Sequence, residues 1–437
     1  QAIIDLPDIN YLDKNIIYYY YGIWTNSFPK DIGRTVQSSF VQNPRDKVKR
    51  VDICNLYTKD IFTTYDNKVN IHEVSPDGVD TLKEVNIVDY IKEINYGSLA
   101  NGTLMRNTPL TIWYYFKYKD ELDKIFHQKG RFSNSAKTEN LLNLYKKILS
   151  VAKIDSTITH PNILVAFADA FGIFVSLQGI CGLNSHEIIE NIEMLMKVNE
   201  FNPNKKKKND SEEEEIEMDE EQDIWNNLKN VVIRSLEFGK SQKNIKEFDA
   251  DDPDESNPIG PQVCGPTSGA YFHALKFSIY YLCRFDQYNK GKIILENGKS
   301  YEVPGKTQEP ISPPMNPGEE CQMDECSPEN GNYKGGFYDF MMGEICDRGG
   351  DTDTNAAIVG SVFGPIIGFK NFGKSLNYLI QGIDQERIIY TPALMYYFVE
   401  YIKNESSVFN TLQSVGKNPQ FYTDKYSNKE EIKVKEK

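Results

Sequence analysis

Residues 349–360 read GGDTDTNAAIVG, a tight turn that leads into an apolar helix. The two glycines permit a sharp bend, after which the carboxylates of Asp351 and Asp353 follow two residues apart, with the hydroxyl of Thr354 beside them. These side chains offer only hard oxygen ligands, which suit Mg²⁺, Mn²⁺ or Ca²⁺ better than zinc. The turn therefore predicts a site for a catalytic divalent cation.

Two other interpretations of the turn can be weighed from the residues alone. A helix N-cap with an acidic first turn would use the same side chains, because carboxylates are favoured at the positive end of the helix dipole. An EF-hand calcium loop needs Gly at its sixth position and Glu at its twelfth. Counted from Asp351, those positions hold Ala356 and Val362, so the calcium loop is excluded.

The length, composition, net charge and cysteine count of the chain narrow the class of protein. The chain has 437 residues with 40% hydrophobic content, which is enough for a sizeable core. Its net charge of −14, without a basic stripe, argues against nucleic-acid binding. The seven cysteines are an odd, scattered set, which predicts free thiols in a reducing compartment and hence a cytoplasmic protein. Residues 163–180 approach the length of a membrane span, but Asp169 interrupts them, so we expect a buried core helix and no membrane insertion.

Two further segments carry candidate binding residues. Residues 97–110 (GSLANGTLMRNTPL) are rich in small side chains and amides, and such loops can hold a phosphate or ribose by backbone N–H groups. Arg106 in this loop could clamp a carboxylate, although a structural ion pair is the favoured interpretation. His160, in THPN at 159–162, is typical of a hydrogen-bonded histidine at a helix start.

The pattern elsewhere is mostly helical, which predicts an all-α fold. One domain is expected over residues 1–419, with insertions at 202–261 and 284–335 and a polar tail at 420–437. Residues 202–223 (NPNKKKKNDSEEEEIEMDEEQD) hold a basic block and then an acidic one. Because they have little apolar surface to bury, we expect them to be disordered. Asn184 and Glu187 predict a capping box that opens an amphipathic helix.

Four segments, taken in order, carry a resemblance to a known family. Residues 29–35 (PKDIGRT) look like a "DIGNTT" helix start, and residues 100–110 (ANGTLMRNTPL) look like "SNGALMR-xx-PL". The THP at 159–161 opens the next helix, and GGDTDTNAA at 349–357 matches "GGDTDTxAA". In these segments the chain resembles the ADP-ribosylglycohydrolase family, over about residues 12–372.

The resemblance implies a compact, orthogonal, all-α helical bundle with long loop insertions. Active members bind two Mg²⁺ ions, sometimes Mn²⁺, and hydrolyse the glycosidic bond between ADP-ribose and an acceptor. By resemblance, Asp351 and Asp353 are catalytic, and both are metal ligands together with Thr354. The implied ADP-ribose-binding residues are Gly97, Ser98, Asn101, Gly102, Met105 and His160, and the implied partner is ADP-ribose or an ADP-ribosylated protein.

The family's remaining metal ligands come from a Thr-Asp-Asp motif before the "DIG" segment. Residues 1–30 contain Asp5, Asp8 and Asp13 but no such motif. We therefore expect an active hydrolase only if that motif lies outside the printed sequence. The alternative is a non-catalytic, structural or ADP-ribose-sensing subunit of a larger assembly, cytoskeletal or ciliary. A metal-dependent phosphohydrolase built on the Asp351/Asp353 pair is a third interpretation.

Overall fold

The computed structural model describes part of the chain. The described residues are 17, 21, 33–40, 49–51, 68–74, 80–127, 133–201, 212–241, 269–289, 292–294, 300–302, 337–348 and 350–367. The chain divides into residues 1–379 and 380–437, and all the described residues belong to the first unit. The predicted tail at 420–437 lies outside the described residues, and the single domain 1–419 stays a prediction.

Helices make up most of the described residues, as an all-α fold predicts. In chain order they are α1 Arg34–Phe40, α2 Ile87–Asn95, α3 Thr108–Lys117, α4 Lys119–His127, α5 Asn134–Ser156, α6 Ile163–Ile180, α7 Ser185–Met196, α8 Glu212–Lys240, α9 Tyr271–Asn289, α10 Phe337–Arg348 and α11 Thr352–Ile367. A 3₁₀ turn at Leu104–Arg106 precedes α3.

Helix α6 is the centre of the fold. It is long and apolar enough to cross a membrane, but 83% of it is buried inside the protein, as predicted for a core helix. Helices α5 and α11 pack against it, with α3, α8 and α9 also in contact. Its apolar residues surround the helix on all sides because neighbours cover every face. An aromatic cluster links it to α5 and α8 through Tyr145, Phe167 and Trp225.

Side-chain caps fix where three of these helices begin. The Ser133 hydroxyl accepts a hydrogen bond from the Ala136 N–H at the start of α5. The Asn162 side chain does the same for α6. At α7 the predicted capping box is present, because Asn184 and Glu187 each accept the other's backbone N–H. These bonds satisfy N–H groups that have no partner within the helix.

Helix α8 extends further than the sequence predicted. Residues 202–223 were expected to be disordered, but the helix already begins at Glu212. That expectation was wrong for residues 212–223, because glutamates are good helix formers and their charges are favourable near a helix N-terminus. The helix is also anchored further along, where Trp225 is fully buried and its Nε1 donates to the Val198 carbonyl at 3.2 Å.

Two small antiparallel sheets accompany the helices. The first has the order β1 Lys49–Val51, β2 Lys68–Val74, β3 Asp80–Asn86. The second pairs β4 Lys292–Ile294 with β5 Ser300–Glu302 and lies within the predicted insertion at 284–335. Helix α9 continues to Asn289, so the helical part reaches further into that insertion than expected. The packed body is nevertheless helical, and the sheets are additions to it.

Candidate functional site

The turn before α11 directs a carboxylate towards a distant part of the chain. Gly350 has a φ of +81°, a left-handed conformation that favours glycine. The Asp351 carbonyl accepts the Asn355 N–H at 2.9 Å and so opens α11. The side chain of Asp351, however, accepts a hydrogen bond from Asn101 Nδ2 at 3.2 Å. Its carboxylate therefore connects the turn to the loop at residues 97–106 rather than capping its own helix.

A backbone link brings a third segment to the same place. Asn101 N–H donates to the Gly269 carbonyl, and Tyr271 N–H donates to the Leu99 carbonyl, both at 2.9 Å. A Cβ added at Gly269 would lie 3.0 Å from Asp351 Oδ2, so glycine is what lets the carboxylate lie this close. The sequence showed a small-residue turn before α9 but gave this segment no role in the site.

His160 packs against the same loop at Gly102. A Cβ added at Gly102 would be 2.8 Å from His160 Cε1 and 3.1 Å from Nε2, so the ring packs against the glycine. The histidine is 1% exposed. Burial, together with the positive charge of Arg106, lowers the pKa of His160 from 6.5 to about 3. The imidazole is therefore neutral at physiological pH.

A network behind His160 holds it in place. Arg106 donates from Nε to Asp155 Oδ2 at 2.9 Å and from Nη2 to Thr159 Oγ1 at 2.9 Å. Thr159 Oγ1 lies 2.7 Å from His160 Nδ1. Tyr21 donates its hydroxyl to Asp155 Oδ1 at 2.5 Å. Burial opposes the charge on Arg106, but Asp155, Tyr21 and Asp169 together outweigh it and raise the pKa of Arg106 above its usual value. The predicted structural ion pair of Arg106 is confirmed.

Helix α1 completes the arrangement. Thr35 Oγ1 and Ser98 Oγ lie within hydrogen-bond distance at 2.7 Å. Asn95 Nδ2 donates to the carbonyls of Thr35 and Thr159, both at 3.0 Å. Asn95 is thus a connecting residue that the sequence analysis missed. We call the place where residues 97–106, His160, Asp351 and α1 meet the central junction.

The predicted site residues occupy different positions at or near this junction. Ser98, Asn101, Gly102, His160 and Asp351 take part in the contacts just described. Gly97 is exposed, with open space where a Cβ would lie. Met105 is 49% exposed on the 3₁₀ turn. Asp353 is exposed and Thr354 is buried in the first turn of α11.

The donor set at the turn can be tested for its fit to a hard cation. Two carboxylates and a hydroxyl are the oxygen ligands that Mg²⁺ takes, and Mg²⁺ usually keeps several waters, so a few protein ligands suffice. Asn355, next to Thr354 in sequence, adds a side-chain amide. It is fully buried, and neither amide atom has a hydrogen-bond partner within the described part of the chain. Asp351, Asp353 and Thr354 therefore offer oxygen atoms of the kind that one hydrated divalent cation takes as ligands. Among the described residues there is no cluster of three His, Cys, Asp or Glu side chains that could hold a metal ion.

A second buried carboxyl lies in the core near the junction. Asp169 of α6 accepts a hydrogen bond from Asn107 Nδ2 at 2.9 Å, while its Oδ2 has no partner in the described residues. Burial raises the pKa of Asp169 to about 7, with the Asp155 charge acting in the same direction. Asp169 is fully buried, and its hydrogen bond from Asn107 connects α6 to the segment that follows the 3₁₀ turn.

Comparisons with known proteins do not identify this chain. No protein-family model, no curated protein and no solved structure matches it.

Proposed function

We propose that this chain binds ADP-ribosyl conjugates at the central junction and hydrolyses their glycosidic bond with a divalent cation. The observation that carries the proposal is the meeting of four segments that are far apart in sequence. Asn101 contacts Asp351 across 250 positions, and Thr35 contacts Ser98 across 63. Gly102 packs against His160 in the same region. These are the segments on which the resemblance to ADP-ribosylglycohydrolases rests.

The residues at the junction suit a nucleotide sugar. Ser98 and Asn101 supply a hydroxyl and an amide from one loop, groups that can hydrogen-bond ribose hydroxyls or phosphate oxygens. Gly102 lets the backbone of that loop come close to His160. Met105 and Tyr96 are 49% and 59% exposed, and they offer apolar contact area at the two ends of the loop. A ligand with polar and flat apolar parts would use both kinds of group.

Asp351, Asp353 and Thr354 would hold Mg²⁺, or Mn²⁺ in its place. A bound cation of this kind orients ribose hydroxyls and makes a coordinated water more acidic. The chain's own contribution is to fix the ligands. Asn101 holds the Asp351 carboxylate in one orientation at 3.2 Å, and the left-handed Gly350 sets the start of the turn. Asp353 is exposed, so the carboxylate oxygen that does not hold the cation would accept a proton from an attacking water.

A non-catalytic ADP-ribose-binding subunit is the second candidate. This candidate needs only the contacts at the junction and no complete set of metal ligands. Both candidates require ADP-ribose to bind at the central junction, and only the first requires turnover. The residues of the junction do not distinguish one acceptor from another, so the experiment uses more than one linkage.

The test is a turnover assay with Mg²⁺ on peptides that carry ADP-ribose on arginine or on serine, with released ADP-ribose measured by mass spectrometry. We expect release by the wild-type chain and a loss of about a hundredfold or more in Asp353→Asn. Asp120→Asn is the matched control, because Asp120 is likewise an exposed acid in the first turn of a helix, α4. ADP-ribose binding without release would select the non-catalytic candidate. If ADP-ribose is neither bound nor released, both candidates are refuted.

A further inference from the structure

Thr159 joins Arg106 to His160 through a single hydroxyl group. Arg106 Nη2 lies 2.9 Å from Thr159 Oγ1, and Oγ1 lies 2.7 Å from His160 Nδ1. Thr159 is fully buried, and His160 is 1% exposed. The direction of the second hydrogen bond decides which ring nitrogen of His160 carries the proton.

The protons that each group can donate fix the direction of the hydrogen bond between Thr159 and His160. A guanidinium has donors only, so Thr159 Oγ1 must accept from Arg106. The hydroxyl then has one proton left to donate. Among the described residues, the Nδ1 of His160 is the partner within reach of that proton. If Nδ1 were itself a donor, the buried hydroxyl proton would have no acceptor, and a buried donor without a partner is destabilising.

We propose that Arg106 and Thr159 are positioning residues that hold His160 as an Nε2–H donor towards the ligand. The low pKa of His160 agrees with this assignment, because a neutral ring has one donor and one acceptor nitrogen. The Nε2 edge lies against Gly102, 3.1 Å from where a Cβ would be, which is the side of the binding loop. The ligand role rests on the proposed function, whereas the tautomer does not.

This assignment separates three roles that a histidine at such a place could have. A metal ligand needs a lone pair, and in this tautomer the Nε2 lone pair is occupied by the proton. A general base needs the same lone pair. What is left is a neutral donor whose Nε2 edge lies against Gly102 of the binding loop. Asp155 supports the arrangement from behind, because its carboxylate accepts from Arg106 Nε and from the Tyr21 hydroxyl.

The tautomer can be read by NMR of protein with ¹⁵N-labelled histidine. The chain has five histidines, so a His160→Gln spectrum assigns the signal of interest. In ligand-free wild-type protein at pH 7 we expect an unprotonated Nδ1 and a protonated Nε2. The near-isosteric Thr159→Val removes the donated proton and should shift the ring towards a mixture of tautomers, and Thr159→Ser should restore the wild-type pattern. A wild-type ring that is protonated at Nδ1, or a Thr159→Val spectrum that is unchanged, would overturn the assignment.

Binding supplies the second readout. We expect Thr159→Val to weaken ADP-ribose affinity about tenfold, because the hydrogen bond from His160 Nε2–H to the ligand is lost when the ring changes tautomer. Thr159→Ser should recover the affinity. Equal affinity in all three proteins would overturn the ligand role of His160. Absence of ADP-ribose binding in the wild-type protein would instead overturn the proposed function, and the ligand-free spectrum still decides the tautomer.

Discussion

Replacing Gly102 by alanine adds one methyl group where the binding loop meets His160. The new carbon would lie 2.8 Å from Cε1 and 3.1 Å from Nε2, whereas carbon atoms in contact prefer about 3.5–4.0 Å. Gly102 is not among the glycines with a positive φ, so the backbone accepts alanine without strain. The His160 ring resists displacement, since it is 1% exposed and its Nδ1 lies 2.7 Å from Thr159 Oγ1.

The loop or the ring must therefore shift by roughly half an ångström or more, and such overpacking costs about 1–3 kcal/mol. Urea denaturation with linear extrapolation measures this loss, and calorimetry with ADP-ribose measures the accompanying loss of affinity. Gly97→Ala is the matched control in the same loop, because nothing lies within 4 Å of its added Cβ. We expect the control to stay within about 0.5 kcal/mol of wild type. If Gly102→Ala matches Gly97→Ala in both stability and binding, the close packing of loop and ring is refuted.

Two further predictions concern stability. Burial raises the pKa of Asp169 from 3.8 to about 7, so the folded state holds a proton that the unfolded state releases above about pH 4. Stability should fall as pH rises from about 4 to 7, and urea denaturation at pH 5 and pH 8 should show a smaller fall in Asp169→Asn; an identical fall would contradict the shift. Gly179→Ala would bring a Cβ to 2.6 Å from Ile366 Cγ1 and 3.0 Å from its backbone N, and should cost about 1–3 kcal/mol. Gly343→Ala, in open space on α10, should stabilise by up to about 1 kcal/mol, and a gain in both variants would contradict the packing of α6 on α11.

The sequence predicts the start of a helix where residues a few positions apart determine it. The capping box of Asn184 and Glu187 needs only residues three apart, and it is present as expected. The acidic segment before Trp225 shows how a local rule fails. Its composition predicts disorder, but the same glutamates are good helix formers, and the buried tryptophan further along holds the helix that they extend.

The two small sheets were missed although a local signal was present. Asp77-Gly78 lies in sequence between strands β2 and β3, and Asn297-Gly298 lies between β4 and β5. Both dipeptides are typical of tight hairpin turns because their residues accept a positive φ. The polar composition around them obscured the alternation of strand residues, and the helical character of the rest of the chain favoured loops instead.

Only part of the site could be predicted from the sequence, because some of its contacts depend on how the helices pack. The order of the four segments indicated which residues should meet, and Asn101 does contact Asp351. The link from Asn101 to Gly269 and the relay from Arg106 through Thr159 depend on how helices pack, and no periodicity or spacing encodes them. Burial likewise sets the pKa of His160, and burial is a property of the packed state.

Calorimetric titration of the chain with ADP-ribose in the presence of Mg²⁺ measures binding at the central junction most directly. We expect saturable binding with one site per chain. Asn101→Asp, which places a carboxylate where the amide now donates to Asp351 at 3.2 Å, should abolish that binding, while urea denaturation checks that the variant is folded. No saturable heat with wild-type protein, or equal affinity in folded Asn101→Asp, would contradict the claim that ADP-ribose binds at the central junction.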